Sequence, residues 1–309
     1  MKKIIYLFVL CAVLIPGTSF ALTLSSSLGT VKNYCGAYAS VIKTGNTYEI
    51  FSNEIPNTKA NCPGTGCPGL VKYSGSITNP SYNGVVAPNS LINDVFNSNG
   101  TLAQNRMFSR PVVVRDGLGY AAVAMVMNGY PPPDGQGVPA FLTSPDGINW
   151  TYHGKFKGEP FGRPIFGSGM ALVVNETSSP RYMFYTDGYG VGMAGLTSDG
   201  NNQWTFMKNS VGGVAELKPS QWTGYTFSSM AKLNGIYYMA SSNGWPVSGW
   251  QFGHSVDGIN WVHDLSKSVR SVEKNISLYV DGVNLRGLAT SGLSGSSCYR
   301  KTILGITVP

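Results

Sequence analysis

Arg110 and Arg163 sit in two similar contexts, "FSRP" and "FGRP", 53 residues apart. A guanidinium is a planar fork that grips a carboxylate, sulfate or phosphate with two parallel hydrogen bonds, so two arginines aimed at one pocket can recognise an anion. The simpler role is pairing with a nearby carboxylate such as Asp94, Glu159 or Asp187. Two of those carboxylates stand in Gly-rich or Pro-rich stretches where acid–base chemistry can be placed: Glu159 in "KGEPFGRP" and Asp187 in "YTDGYG". Four aromatic residues, Tyr130, Tyr189, Trp245 and Trp250, lie in comparable Gly/Pro-rich segments and offer flat apolar faces. Other chemistries lack their residues. There is no nucleophile elbow, no zinc-binding His pair and no phosphate-cradling Gly loop.

The elements that hold these residues are written as a repeat. "TSPDGINWTY" (143–152), "TSDGNNQWTF" (197–206) and "HSVDGINWVH" (254–263) are three versions of one phrase. Their tryptophans, Trp150, Trp204 and Trp261, are spaced by 54 and 57 residues, a period that marks a repeat architecture. Asp146, Asp199 and Asp257 can accept hydrogen bonds from the amides of their own turns, and the following glycines supply a positive φ. Each tryptophan can then bury its ring between neighbouring units. Around each turn lie four short runs rich in β-branched and aromatic residues, as in "RPVVV", "GYAAVAMVM", "GVPAFLTS" and "WTYHG". Four antiparallel strands in about fifty residues make a propeller blade. Three blades are plain, and weaker ones precede and follow them. The fold is therefore read as an all-β, five-bladed β-propeller, with six blades as the alternative.

The ends and the cysteines set further expectations. Lys2, Lys3, the apolar run "IIYLFVLCAVLI" and the small residues of "SFA" read as a signal peptide over residues 1–21, leaving a single domain over 22–309 that is secreted or periplasmic. No later stretch is apolar enough to insert in a membrane as a helix. Net charge is +7, or +5 without Lys2 and Lys3, with no basic run, which argues against nucleic acid as a partner. Cys35, Cys62, Cys67 and Cys298 are an even set suited to disulfides, with three formal pairings. Cys62 and Cys67 can meet inside "CPGTGCPG", and Cys35 with Cys298 would then tie the chain ends together. A zinc site is the other reading of the cysteines, but no histidine is near them in sequence, and no metal or cofactor is expected.

The "S-x-D-G-x-x-W" turns resemble the Asp boxes of sialidases, and the blade pattern resembles the five-bladed glycoside hydrolases of families 43 and 32. The resemblance implies an exported protein that binds or cleaves a complex glycan, anionic ones included, in a pocket on the propeller axis. Under it Glu159 is the candidate general acid and Asp187 the candidate base or nucleophile. Arg110 and Arg163 would hold the ligand's acidic group, and Tyr130, Tyr189, Trp245 and Trp250 would stack on its sugar rings. This chain departs from the families where their blades open with "DP": it has Arg110-Pro111 and Arg163-Pro164, so none of their carboxylate positions carries over. The alternative is a lectin-like adhesion or protein-binding propeller without enzymatic activity.

Overall fold

The structure is a computed structural model, and it describes residues 22–32, 34, 38–53, 69–128, 137–155, 169–173, 182–186, 193–198, 204–206, 228–242, 249–258, 260–268, 273–291 and 300–308. Strand β1 (Thr23–Val31) opens this part of the chain. The next four strands, β2 (Ser40–Thr44), β3 (Thr47–Ser52), β4 (Gly69–Ser76) and β5 (Asn79–Pro88), pair in sequence order. The same happens for β6 (Arg106–Asp116), β7 (Gly119–Asn128), β8 (Val138–Ser144) and β9 (Thr151–Lys155). It happens again for β10 (Gly169–Val173), β11 (Tyr182–Thr186), β12 (Met193–Ser198) and β13 (Trp204–Phe206). A further sheet holds β14 (Ser228–Leu233), β15 (Ile236–Ser242), β16 (Gly249–Ser255) and β17 (Val262–Ser268). The last three strands, β18 (Glu273–Asp281), β19 (Asn284–Ser291) and β20 (Arg300–Thr307), make a sheet whose outermost member is β1.

The described strands thus form five four-stranded antiparallel sheets, the blades of a β-propeller. The first strand of each is the inner one: β2 lies beside β6 and β18, and β10 lies between β6 and β14, which in turn meets β18. Arg115 at the end of β6 donates to Thr44 Oγ1 at the end of β2 (2.8 Å), and Lys43 of β2 pairs with Asp281 at the end of β18 (2.5 Å). The inner strands therefore run side by side in one direction. The end where they begin is the entry end, and the opposite one is the hairpin end.

Packing follows from this stacking of sheets. A strand between two others in a blade is covered on both faces by neighbouring blades, so it reads as a continuous apolar run instead of alternating. Strand β7 is buried from Tyr120 to Met127, and its alanines let the first blade approach closely. Phe51 of the first blade meets Trp150 of the second edge to face, with ring centroids 5.9 Å apart. Polar groups join the same interface. The Glu49 carboxylate receives Lys72 Nζ (2.6 Å), the Tyr120 hydroxyl (2.7 Å), Thr44 Oγ1 (3.2 Å) and the more distant Arg115 guanidinium (3.5 Å). Burial pushes the Glu49 carboxyl up, but Lys72, Tyr120 and Arg115 together outweigh it and hold the group below its ordinary range.

The last blade differs from its sequence reading. Only three strands are visible in the sequence there, and the fourth comes from the other end of the chain, with Thr23 opposite Thr307 and Val31 opposite Lys301. The ends of the chain are thus held by a backbone ladder. Cys35, Cys62, Cys67 and Cys298, invoked for that task, lie outside the described residues, as do residues 1–21.

Candidate functional site

Counting back from the hairpin glycines aligns the inner strands. Arg110 stands seven residues before Gly117, and Tyr38 stands seven before Gly45, so the two occupy equivalent positions on adjacent blades. The structure brings them together: the Arg110 guanidinium lies over the Tyr38 ring, 4.7 Å from its centroid. Below them Ser40 Oγ accepts from Val113 N (2.8 Å) and donates to Val113 O (2.9 Å), which fixes β2 against β6. The fourth and fifth blades repeat half of that device, with Leu278 N donating to Ser229 Oγ (2.8 Å). Tyr38 itself is held by the Tyr34 hydroxyl, which donates to its carbonyl (3.1 Å), and it packs against the cluster of Leu22, Tyr238, Trp250 and Leu278 from the last blades.

The backbone at Arg110 is unusual. Ser109 pairs with Met125 and Val112 with Val123, so β6 carries one residue more than β7 across this step, a β-bulge. Arg110 takes up that residue with φ +49, although it has a Cβ and precedes a proline, which disfavours such a conformation. The left-handed geometry costs about 1–2 kcal/mol. Strain of this kind is retained where surrounding structure enforces it, and it concentrates at binding sites.

The chain between β5 and β6 builds the rim at the entry end. Asn89 Oδ1 accepts from Phe108 N (3.0 Å), Arg106 donates to Ile92 O (2.6 Å) and Ala103 O (2.8 Å), and Ala103 N donates to Val95 O (2.8 Å). Asp94 faces β9, receiving the Tyr152 hydroxyl (2.6 Å) and Lys155 N (2.8 Å). Burial, with Asp94 beside it, pushes the Tyr152 phenol far up. The contacts of Asp94 are thus to the second blade's outer strand, whereas the Arg110 guanidinium stacks on Tyr38.

The other sequence candidates divide. Asp146 Oδ1 accepts from the amides of Ile148 and Asn149 (both 2.8 Å), and Ser144 Oγ accepts from Gly147 N (2.8 Å). The Asn149 and Ile148 amides hold the Asp146 carboxyl far below its ordinary range. Asp257 makes matching bonds to Asn260 N and Asn260 Nδ2 (both 2.7 Å). Gly147 has φ +72, and a Cβ there would stand 3.0 Å from the Tyr120 ring. These turns lie at the hairpin end, away from Tyr38 and Arg110. Trp150 is buried between blades, while Trp261 is half-buried and donates from Nε1 to Gly258 O (3.1 Å). Trp204 begins β13.

Trp250 corrects an expectation. It is the second residue of β16, 0% exposed and packed with Phe252, Ala240 and Leu278, so it cannot stack on a sugar. "NGWPVSGW" reads as turn-like throughout, but the strand begins at Gly249. Glu159, Arg163, Asp187, Asp199, Tyr130, Tyr189 and Trp245 lie outside the described residues. Among the described residues, no group of three or more His, Cys, Asp or Glu side chains could hold a metal ion. Sequence reasoning missed Tyr38, although counting from the hairpin glycine finds it.

Comparison with solved structures adds the fold's relatives. A family 43 β-1,3-galactosidase superposes with a TM-score of 0.61 at 14% identity, over 91% of this chain and 60% of that one. The exo-β-1,3-galactanase of Phanerochaete chrysosporium with galactose gives 0.61 at 14% identity, over 91% of this chain and 64% of that one. In fold, the chain resembles β-propeller glycoside hydrolases. A family 117 glycoside hydrolase from Zobellia galactanivorans matches at 0.59 and 12% identity, over 93% and 91% of the two chains. The chain thus spans about three fifths of the length of the β-1,3-galactosidase and of the exo-β-1,3-galactanase, and nearly all of the family 117 protein. No protein-family model and no curated protein matches the sequence.

Proposed function

We propose that this is an exported, glycoside-hydrolase-like protein whose five sheets close one ring and whose axial site, at the entry end, takes a complex glycan carrying an acidic group. The observation that carries the reading is Arg110: an inner-strand arginine held at φ +49 in a bulge, its guanidinium laid over Tyr38 of the adjacent blade. A guanidinium is a planar fork that can grip a carboxylate or sulfate with two parallel bonds. The named activities of the fold's relatives, on galactan and on xylan, support a carbohydrate as the ligand class. Cleavage would require a second pair of groups. Hydrolysis of a glycosidic bond uses two carboxyls flanking it, and Glu159 with Asp187 are the pair we assign to that work.

The test is native mass spectrometry of residues 22–309 with neutral and acidic oligosaccharides, which reads bound masses and products together. Acidic oligosaccharides are expected to bind, and Glu159→Gln or Asp187→Asn to abolish turnover while binding survives. Arg110→Gly is expected to weaken acidic ligands about tenfold or more, the effect of one charge-assisted bond. Its stability should stay within about 1 kcal/mol of the parent, because the relieved strain offsets the lost ring contact. Equal affinity for acidic and neutral sugars in the parent and in Arg110→Gly would sink the assignment of Arg110.

A further inference from the structure

A buried polar atom at the entry end of the first blade has no partner. Asn53, the residue after β3, is 5% exposed, and its side-chain Oδ1 is buried without a hydrogen bond. A buried acceptor forfeits the water it had in the unfolded chain, so native structures keep few of them and each calls for a reason.

The strand register says where Asn53 stands. Ser40 of β2 is opposite Phe51 of β3, so two residues further along each chain Tyr38 comes opposite Asn53. Side chains directly opposite one another share a face of the sheet, and faces alternate along a strand. Ser40 and Phe51 face the second blade: Ser40 Oγ exchanges hydrogen bonds with Val113, and the Phe51 ring meets Tyr120 and Trp150. Tyr38 and Asn53 therefore face the second blade as well, and the Arg110 guanidinium over the Tyr38 ring shows it directly for the first of them. Toward the hairpin end the same face of β3 is fully engaged, Phe51 by those rings and Glu49 by Lys72 and the Tyr120 hydroxyl. Only at Asn53, level with Tyr38, does an acceptor lack its donor.

The neighbours limit what that donor is. A cation is repelled by the Arg110 guanidinium, and a carboxylate has no hydrogen to give. A neutral hydroxyl fits. Directly opposite side chains start about 5 Å apart, a span that one pyranose covers. We infer that Asn53 is a specificity residue of the axial site, its carboxamide oxygen accepting from a hydroxyl of the same sugar whose acidic group Arg110 holds. This rests on the glycan reading above and narrows it to a sugar acid whose hydroxyl and acidic group are read together. An acid of the same ring size without hydroxyls leaves Asn53 unpaired, and a site built around a buried polar group disfavours the analogue that lacks its partner.

The experiment is isothermal titration calorimetry of the parent, Asn53→Leu and Arg110→Gly with glucuronate, galacturonate and cyclohexanecarboxylate, alongside thermal unfolding. Asn53→Leu is expected to weaken the better-bound uronate roughly fivefold, without weakening cyclohexanecarboxylate. It should unfold at or above the parent's temperature, because an apolar side chain of similar size replaces an unpaired buried amide. Arg110→Gly should weaken all three acids. Uronate binding unchanged in Asn53→Leu but weakened in Arg110→Gly would overturn the role of Asn53 and leave the axial reading intact. A parent that binds none of the three acids overturns both. Equal loss for uronates and cyclohexanecarboxylate in Asn53→Leu, or a lowered unfolding temperature, also overturns it, since either pattern belongs to a residue that supports the fold.

Discussion

A chain that begins at Tyr34, without β1, is expected to lose its cooperative unfolding transition and to associate. Strand β1 pairs with β20 between Thr23 and Val31, with two register shifts on the way, and its removal bares the backbone edge of β20. It also takes Leu22 and Val31, both buried, from two core clusters. Burying two such side chains contributes about 3–6 kcal/mol, a large part of the 5–15 kcal/mol that keeps an ordinary domain folded. Thermal unfolding followed by circular dichroism, with size-exclusion chromatography, reads both effects. A peptide spanning residues 22–32 should restore the transition by adding back the strand. A sharp, unshifted transition in the shortened monomer would mean that the ring holds without its N-terminal strand.

Glu49→Gln is expected to destabilise the protein by about 3 kcal/mol, because Lys72 stays buried with no charge to face. The side chains of Glu49 and Lys72 are only 11% and 9% exposed, so water cannot substitute for the missing partner. Breaking a buried pair costs more than removing both members, so adding Lys72→Met should recover much of the loss. Chemical denaturation of the two single variants and the double variant measures this. Additive losses would show that the pair is not coupled. The pH dependence has a definite sign. The folded pKa of Glu49 lies below its unfolded value of about 4.3, so its contribution is complete above roughly pH 5 and disappears as pH falls through the folded pKa. Glu49→Gln should therefore have a flatter acid limb than the parent.

The blade pattern is legible in the sequence because its determinants are local. Strands β6 to β8 and β14 to β16 are apolar runs separated by turn residues, and their boundaries can be read within a few positions. Strand β1 is not legible, because "TLSSSLGTV" has no strong apolar alternation and its partner lies at the other end of the chain. Trp250 misleads for a related reason: glycine and proline around it are turn formers in isolation, and only the neighbouring blade makes its position a core one. At the axis, Arg110 is visible as an arginine in an inner strand, but its positive φ is not. That conformation arises from the mismatch of one residue between β6 and β7, a relation between strands that no single segment contains.

Pairing the first strand with the last also imposes an order in time. Thr23 leaves the ribosome 284 residues before Thr307, its partner, and at roughly 5–20 residues per second this is a delay of about a quarter of a minute to a minute. For that interval the nascent N-terminal segment has no ladder to join. Its serines keep it well hydrated while it waits, whereas a more apolar strand would be prone to pair with the wrong edge. The weak strand signal of "TLSSSLGTV" thus suits a segment that must remain unpaired until β20 has been made.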